Sequence, residues 1–267
     1  MNLPGLSVAA LRNRAGRQAR GEILGFVDAD HEILPSWPTI ATEVLADPTV
    51  AAVGTPCLPP PQANWVQAAY DHLRDHDGGR RDVRWLGSGN LAVRRSCFEE
   101  VGGFDESLAT CEDVDLCSRL RARGYRIVSD SRMASVHHGD PRTLAQVFTG
   151  ELWRGQDNLR VSLRNRLSLA DLPSIVLPFV SLVSLVSLAA GLIAAPVGGL
   201  SWCAGGLVGL AGVTGLRALR MAMGGNARRP TALSGVAAVA ATYEIARALA
   251  WVVRVSHRRA AVAARPA

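Results

Sequence analysis

The stretch GFVDADHE, residues 25–32, ends an apolar run at Val27 and follows it at once with Asp28, Ala29 and Asp30. Two carboxylates that close repel one another unless a positive charge lies between them. Hard oxygen donors at i and i+2 of a loop can share one divalent cation, with Mg²⁺ or Mn²⁺ as the natural guests. Such a cation can bind a diphosphate and neutralise it as it leaves. A solvated turn would show the same three residues.

Three other groups could do chemistry. Glu112, Asp113 and Asp115 open EDVDLCSRLRARG, which reads as a helix with acids in its first turn, Arg in its last and Gly124 as its stop. Leu116 and Leu120 supply its buried stripe. A carboxylate there can stay ionised and act as general base toward a hydroxyl, or it can be an ordinary helix-start acid. His137-His138 follow the strand-like MASV, where an imidazole could complete a metal site begun by Asp30 or stand on the surface. In LGSGNLAVRR, Gly87 and Gly89 permit close approach of backbone to a ligand, and Arg94 and Arg95 suit phosphate; a turn into a strand is the plainer account.

The elements that must position these groups alternate. EILGFV, VAAVGTP, SGNLAVRR and YRIVSD read as strands, and SWPTIATEVLAD reads as a helix ended by Asp47-Pro48. This is an α/β pattern, and in open α/β sheets ligands gather at the carboxyl ends of strands, where Asp28 and Asp30 stand.

Composition points to a second environment. Hydrophobic residues make up 48% of the 267 residues although only 5% are aromatic, and the mean hydropathy is positive. Both fit a membrane portion joined to a polar one. The net charge is +6 and every basic residue is Arg, dense beside the apolar stretches. Without interleaved aromatics this favours a membrane surface and argues against nucleic acid as a partner. Five cysteines without a C-x-x-C pair suit reduced thiols in a cytosolic domain, and the first 21 residues hold no signal-peptide core.

Residues 175–195 and 197–216 are uncharged runs, each long enough to cross a bilayer core of roughly 30 Å at about 1.5 Å per residue. Pro196, Gly198 and Gly199 make the connection. Arg160, Arg164 and Arg166 precede the first run; Arg217, Arg220, Arg228 and Arg229 follow the second. The positive-inside rule then puts both outer flanks, and the N-terminal domain, in the cytoplasm of a multi-pass protein of the cell membrane. Residues 233–255 form a third apolar segment that carries Glu244, Arg247 and Arg254, with Arg258 and Arg259 beyond it. Ionisable groups at mid-bilayer are expensive, so an interfacial or re-entrant helix is favoured over a third span.

Several motifs in order carry a resemblance. RNRAGRQARGEILGFVDADHEILPSW resembles the middle of a family 2 glycosyltransferase catalytic domain: Arg12-Asn13, Gly16, Gly21-Glu22, an apolar strand, then D-x-D. GSGNLAVRRSCFEEVGGFDESLATCEDVDLCSRLRARGYRIV resembles its second half, from an Arg-bearing strand through Gly-Gly-Phe-Asp-Glu to Glu-Asp-x-Asp-Leu, and ASVHHG resembles its closing V-x-H with His138 in register. The likeness covers roughly residues 5–155. It implies a GT-A, Rossmann-like nucleotide-sugar domain that transfers a sugar with inversion by single displacement.

The resemblance also implies roles. Asp30 would ligate the metal, Mn²⁺ or Mg²⁺; Asp28 would sit by the ribose or the metal; His138 would be a further ligand. Asp113 would be the base, with Glu112 beside it. Arg12, Asn13, Asp28, Gly89, Asn90 and Arg94 would bind the nucleotide sugar.

The organisation expected is therefore a partial GT-A domain over 1–155, a juxtamembrane linker over 156–174, a two-span hairpin over 175–216 and a basic region over 217–267. The family's opening strands, about 70 residues of a domain of usual size, have no counterpart before Arg12. The expected function is a membrane-anchored glycosyltransferase acting on a lipid-linked or cell-envelope acceptor. The alternative is an inactive remnant or a membrane-bound partner of a separately encoded N-terminal half. GELWRGQDNLR inverts the Gln-x-x-Arg-Trp order of processive members, which argues against a polymer synthase. A metal-dependent hydrolase or phosphotransferase would leave Gly102-Gly103-Phe104-Asp105-Glu106 unexplained.

Overall fold

The computed structural model describes residues 5–76, 78–164, 169, 172–224 and 231–255. In chain order its elements begin with α1 (Val8–Gln18), β1 (Ile23–Val27), β2 (His31–Ile33), α2 (Trp37–Val44), β3 (Val50–Gly54), α3 (Trp65–Asp71), β4 (Arg80–Val83) and β5 (Asn90–Arg94). They continue with α4 (Arg95–Glu100), α5 (Glu112–Ala122), β6 (Arg126–Asp130), β7 (Ser135–His137), α6 (Leu144–Arg154), α7 (Asn158–Arg164), α8 (Leu172–Ile193), α9 (Leu200–Gly224) and α10 (Leu233–Leu249). Two compact units result, Met1–Gln62 with Asp75–Asp140, and Ala63–Arg74 with Pro141–Ala267.

In the first unit a five-stranded sheet runs β1-β5-β3-β6-β4. Side chains that alternate along each strand supply both faces. Leu24 and Phe26 of β1, Leu91 and Val93 of β5 and Ile127 of β6 meet Phe98, Phe104, Leu116 and Leu120 on one side. Ala92 and Val128 meet Trp37, Ile40, Ala41 and Val44 of α2 on the other. The expected α/β alternation is present, and the sheet is mixed: β3 and β6 are parallel, while β1–β5, β3–β5 and β4–β6 are antiparallel.

This polarity builds the site. Val27 at the end of β1 lies opposite Asn90 at the start of β5, and Leu91 lies opposite Gly54 at the end of β3. The exits of β1 and β3 therefore share one edge with the turn that enters β5. A small second sheet, β2 paired antiparallel with β7, sets His31 opposite His137.

The second unit is helical. An Asn64–Gln67 capping box starts α3, and Val66, Ala69 and Tyr70 pack with Val147 of α6 and Val236, Val239 and Ala240 of α10. This unit takes in α3 and α6 because their apolar faces are buried against α10. Part of the expected linker is helix α7. Arg166, Arg228, Arg229, Arg258 and Arg259 lie outside the described residues.

Helices α8 and α9, of 22 and 25 residues, are long and apolar enough to cross a membrane. A 3-10 turn over Ala195–Val197 joins them, with Gly198 at φ 98°. Glycine lets them touch: a Cβ on Gly206 would stand 2.6 Å from the Ser184 carbonyl, and one on Gly191 would stand 2.6 Å from the Cys203 nitrogen. Small residues serve this purpose between membrane helices.

Candidate active site

Arg12 is a positive charge between Asp28 and Glu112. It projects from α1, whose start is capped by the Ser7 hydroxyl. One guanidinium nitrogen donates to Asp28 Oδ1 at 2.6 Å and the other to Glu112 Oε1 at 2.7 Å. The fork thus ties the exit of β1 to the first residue of α5. Asp28 and Asp30 keep about half of their side-chain surface open, 46% and 50%. Oxygens of both and a ring nitrogen of His31 lie within 4.8 Å of one another. Donors at that spacing are close enough to share one divalent cation.

The Gly87-Ser88-Gly89 turn lies between Asp28 and Asp113. A Cβ on Gly89 would stand 2.7 Å from Asp28 Oδ2, so only glycine lets the turn approach the D-x-D pair. The Asp28 amide donates to the Gly89 carbonyl at 3.1 Å. The Ser88 amide donates to Asp113 Oδ2 at 3.3 Å, and its hydroxyl donates to Glu112 Oε1 at 3.3 Å. Asp113 Oδ1 accepts from the Val114 amide at 2.8 Å. Burial and then the neighbouring Glu112 charge push the Asp113 carboxyl up to about 6, against the pull of these amides and Arg12. Cys111, just before the pair, holds a left-handed φ of 62°, a strained backbone of the kind found where function fixes a turn.

No protein-family model matches the chain. It is 33% identical over 150 residues to the O-antigen biosynthesis protein RfbC of Myxococcus xanthus, covering 48% of this chain and 12% of that protein. It is 36% identical over 135 residues to the N-acetylglucosaminyl-diphospho-decaprenol L-rhamnosyltransferase of Mycobacterium tuberculosis, covering 49% and 42%. Among solved structures it superposes, with TM-score 0.51 and 20% identity, on a mannosyltransferase from Pyrobaculum calidifontis in complex with GDP-Man and Mn²⁺, covering 90% and 65%. This chain is a homologue of glycosyltransferases with their GT-A fold. It spans 12–42% of the length of these two curated relatives.

Of the residues expected to serve a glycosyltransferase, the structure brings Arg12, Asp28, Gly89, Glu112 and Asp113 together and keeps Asp30 beside them. It takes four away. His138 points the other way: it follows His137 at the end of β7, so its ring falls on the opposite face and Nε2 donates to Glu32 at 3.0 Å. His137 faces Asp30 instead, with Nε2 3.2 Å from Oδ2.

Arg94 ends β5 at the edge remote from the turn and donates to the carbonyls of Leu45 and Asp47 beyond α2. Asn90 is buried; it donates to the Thr55 and Met133 carbonyls and accepts from the Trp37 indole. Asn13 is buried and brackets Phe104, accepting from its amide and donating to its carbonyl, both at 2.8 Å. The side chains of these three are bonded within the fold, to backbone carbonyls and amides and to the Trp37 indole.

No motif pointed to His31 or Cys57, yet both lie at this edge, where a ring nitrogen of each of His31 and His137 and the Cys57 sulfur fall within 4.8 Å of one another. The position of His31 directly after D-x-D was the available signal. Nothing local marked Cys57.

Proposed function

We propose that the chain is a membrane-anchored, inverting glycosyltransferase of family 2 type. It would take a sugar from a nucleoside-diphosphate donor and place it on a hydroxyl of a lipid-linked or cell-envelope acceptor. The observation that carries the reading is the Arg12 fork, which joins the D-x-D strand end to the helix start bearing Glu112 and Asp113. A cation pole and a base pole then flank one glycine turn.

Asp113 is the base. With its carboxyl near 6 it is ionised at neutral pH and still basic enough to accept a hydroxyl proton as the glycosidic bond forms. Glu112 holds Arg12, and Arg12 holds Asp28 in place. A divalent cation, Mn²⁺ or Mg²⁺, held by Asp28 and Asp30 with His31 in reach would neutralise the departing diphosphate. The Mn²⁺ in the mannosyltransferase complex supports that choice of ion class, and the decaprenol-linked acceptor named for the mycobacterial relative supports a lipid-linked acceptor.

Anchoring is supported by the exposed apolar surface of α8 and α9, including Phe179, Val183, Val186, Leu207 and Val208. Arg217 and Arg220 at the far end of α9 favour a cytoplasmic flank by the positive-inside rule.

The test uses the full chain in nanodiscs with Mn²⁺, a panel of UDP-, GDP- and dTDP-sugars and a membrane lipid extract as acceptor. Transfer with release of nucleoside diphosphate, lost in Asp30→Ala and Asp113→Asn, is expected. Transfer that survives both substitutions would sink the site assignment, and release of phosphate from phosphomonoesters without sugar transfer would replace the function.

A further inference from the structure

We propose that His31, Cys57 and His137 form a second cation site, selective for a thiophilic divalent ion of which Zn²⁺ is the ordinary biological example. The site does not depend on the chain's being a glycosyltransferase. A ring nitrogen from each imidazole and the Cys57 sulfur lie within 4.8 Å of one another, the span that one ion can bridge.

Three extended segments meet to make it. β2 and β7 place His31 directly opposite His137, with ring centroids 4.6 Å apart. The segment after β3 then runs parallel along β7: the Leu58 amide donates to the Ser135 carbonyl at 2.7 Å, and the His137 amide donates to the Leu58 carbonyl at 2.9 Å. These two backbone hydrogen bonds hold Cys57 beside the imidazole pair. The donors are fixed by sheet pairing before any ion arrives, which lowers the ordering cost of binding.

The rings are also oriented. His137 Nδ1 donates to Asp140 Oδ1 at 2.6 Å, and the Asp140 side chain is fully buried. A carboxylate behind a histidine in this way fixes its tautomer, turns Nε2 forward as the ligating atom and raises its basicity. His31 Nδ1 lies 3.1 Å from the Ser135 hydroxyl, which orients the second ring. All three ligand residues are partly buried, so the site is formed yet open. Asp30, with Oδ2 3.2 Å from His137 Nε2, is placed to be a fourth donor.

The donor set decides the ion. Two imidazoles and a thiolate match tetrahedral Zn²⁺ and its spectroscopic substitute Co²⁺, whereas Mg²⁺ and Mn²⁺ prefer carboxylate oxygen. Binding exchanges the thiol proton for the metal: S–H breaks, S–M forms, and one proton leaves to solvent. His31 belongs to this set and also to the Asp28–Asp30–His31 set. A neutral imidazole has one ring-nitrogen lone pair free for a metal, so His31 serves one ion at a time and the two sites exclude one another. Zn²⁺ is therefore expected to displace the hard cation.

The experiment strips the full chain in detergent with a chelator and titrates it with Co²⁺. A near-ultraviolet sulfur-to-cobalt charge-transfer band that saturates at one equivalent is expected in the wild type and in Cys203→Ser. It should be absent in Cys57→Ser and in Cys57→Ala, both checked for an unchanged unfolding midpoint. Zn²⁺ should bleach the band and release bound Mn²⁺ in the wild type, read by electron paramagnetic resonance, and do so more than about tenfold less effectively in Cys57→Ser. A thiolate band that persists in folded Cys57→Ser, no band at saturating Co²⁺ in the wild type, or Mn²⁺ unmoved by Zn²⁺ overturns the proposal. None of these readings requires sugar transfer, so failure of the proposed enzymatic function would leave them standing.

Discussion

At the scale of the residue, Asp113 and Arg12 set the acid–base behaviour of the site. The Asp113 carboxyl is raised to about 6 from an ordinary value of 3.8. For an acid with a raised value, the folded chain binds more protons than the unfolded one between about pH 4 and 6. This group's contribution to stability therefore falls as pH rises through that window, and above it the ionised carboxylate is a full liability. Asp113→Asn is expected to match the wild-type unfolding free energy near pH 4 and to exceed it, by roughly 3 kcal/mol, at pH 8. Transfer should show the opposite trend, with kcat/KM losing activity below a limb near pH 6 and the asparagine variant inactive throughout. Paired unfolding and rate profiles across pH 4–8 check both, and a rate limb at an unshifted carboxylate value would remove Asp113 from the role of base. Type and spacing made the acids themselves legible in the sequence. The choice between His137 and His138 was not legible, because it turns on which face of β7 points inward, and the pairing of β7 with β2 fixes that only in three dimensions.

At the scale of the element, antiparallel pairing of β1 with β5 is what lets Gly89 rest against Asp28. Strands β1, β3, β5 and β6 and helices α2 and α5 were readable from apolar runs and end signals, whereas β4, RRDV, has three charged residues of four and showed no apolar run. The three-residue β2 is too short to show a period, and α1 carries four Arg or Asn residues among eleven, so neither declared itself. Strand direction also explains why Arg94 bonds to carbonyls beyond α2, at the end of β5 remote from Gly89: a motif string does not say which end of a strand carries the site. Asn13→Leu should accordingly act on stability. It leaves the Phe104 amide and carbonyl without their partner inside the fold, a loss of about 2–4 kcal/mol seen as a lower unfolding midpoint. Below that midpoint, Mn²⁺ affinity should stay within about twofold of wild type, since Asn13 bonds none of the proposed ligands. Gly206→Leu tests the other unit. Its side chain would collide with the Ser184 carbonyl and Leu188 and force α8 from α9, so a faster loss of helical signal in detergent melts is expected, with Gly205→Leu, which meets open space, as the unaffected control.

At the scale of the whole molecule, the question is what the C-terminal helices do with their charges. α8 and α9 leave large apolar side chains uncovered along most of their length, whereas α10 keeps its ionisable groups bonded inward. Glu244, 1% exposed, accepts from Arg217 of α9 at 2.6 Å. Arg247 donates at 2.9 Å to Glu151 of α6, a buried carboxylate that Tyr70 and Arg154 also engage. Burial pushes the Glu151 carboxyl up, but Arg247, Arg154 and the Tyr70 hydroxyl outweigh it and hold it below its ordinary value, so it stays ionised as the hub of α3, α6 and α10. At 17 residues and about 1.5 Å per residue, α10 reaches about 26 Å, short of a hydrocarbon slab of roughly 30 Å. A helix of that length, tied by ion pairs to α6 and α9, is better suited to lie against the bundle than to cross a bilayer. Cysteines introduced singly at Leu233 and Val252, exposed residues on either side of the α10 pairs, discriminate the two arrangements. With the chain in sealed inverted vesicles, an impermeant thiol reagent should label both positions, read peptide by peptide in the mass spectrum, because both ends then face the former cytoplasm. The Ala195–Val197 turn, probed by a cysteine at Ala195, should stay unlabelled until the vesicles are opened. Labelling at only one end of α10 would make it a third span and would require Glu244 and Arg247 to be paired across the membrane interior.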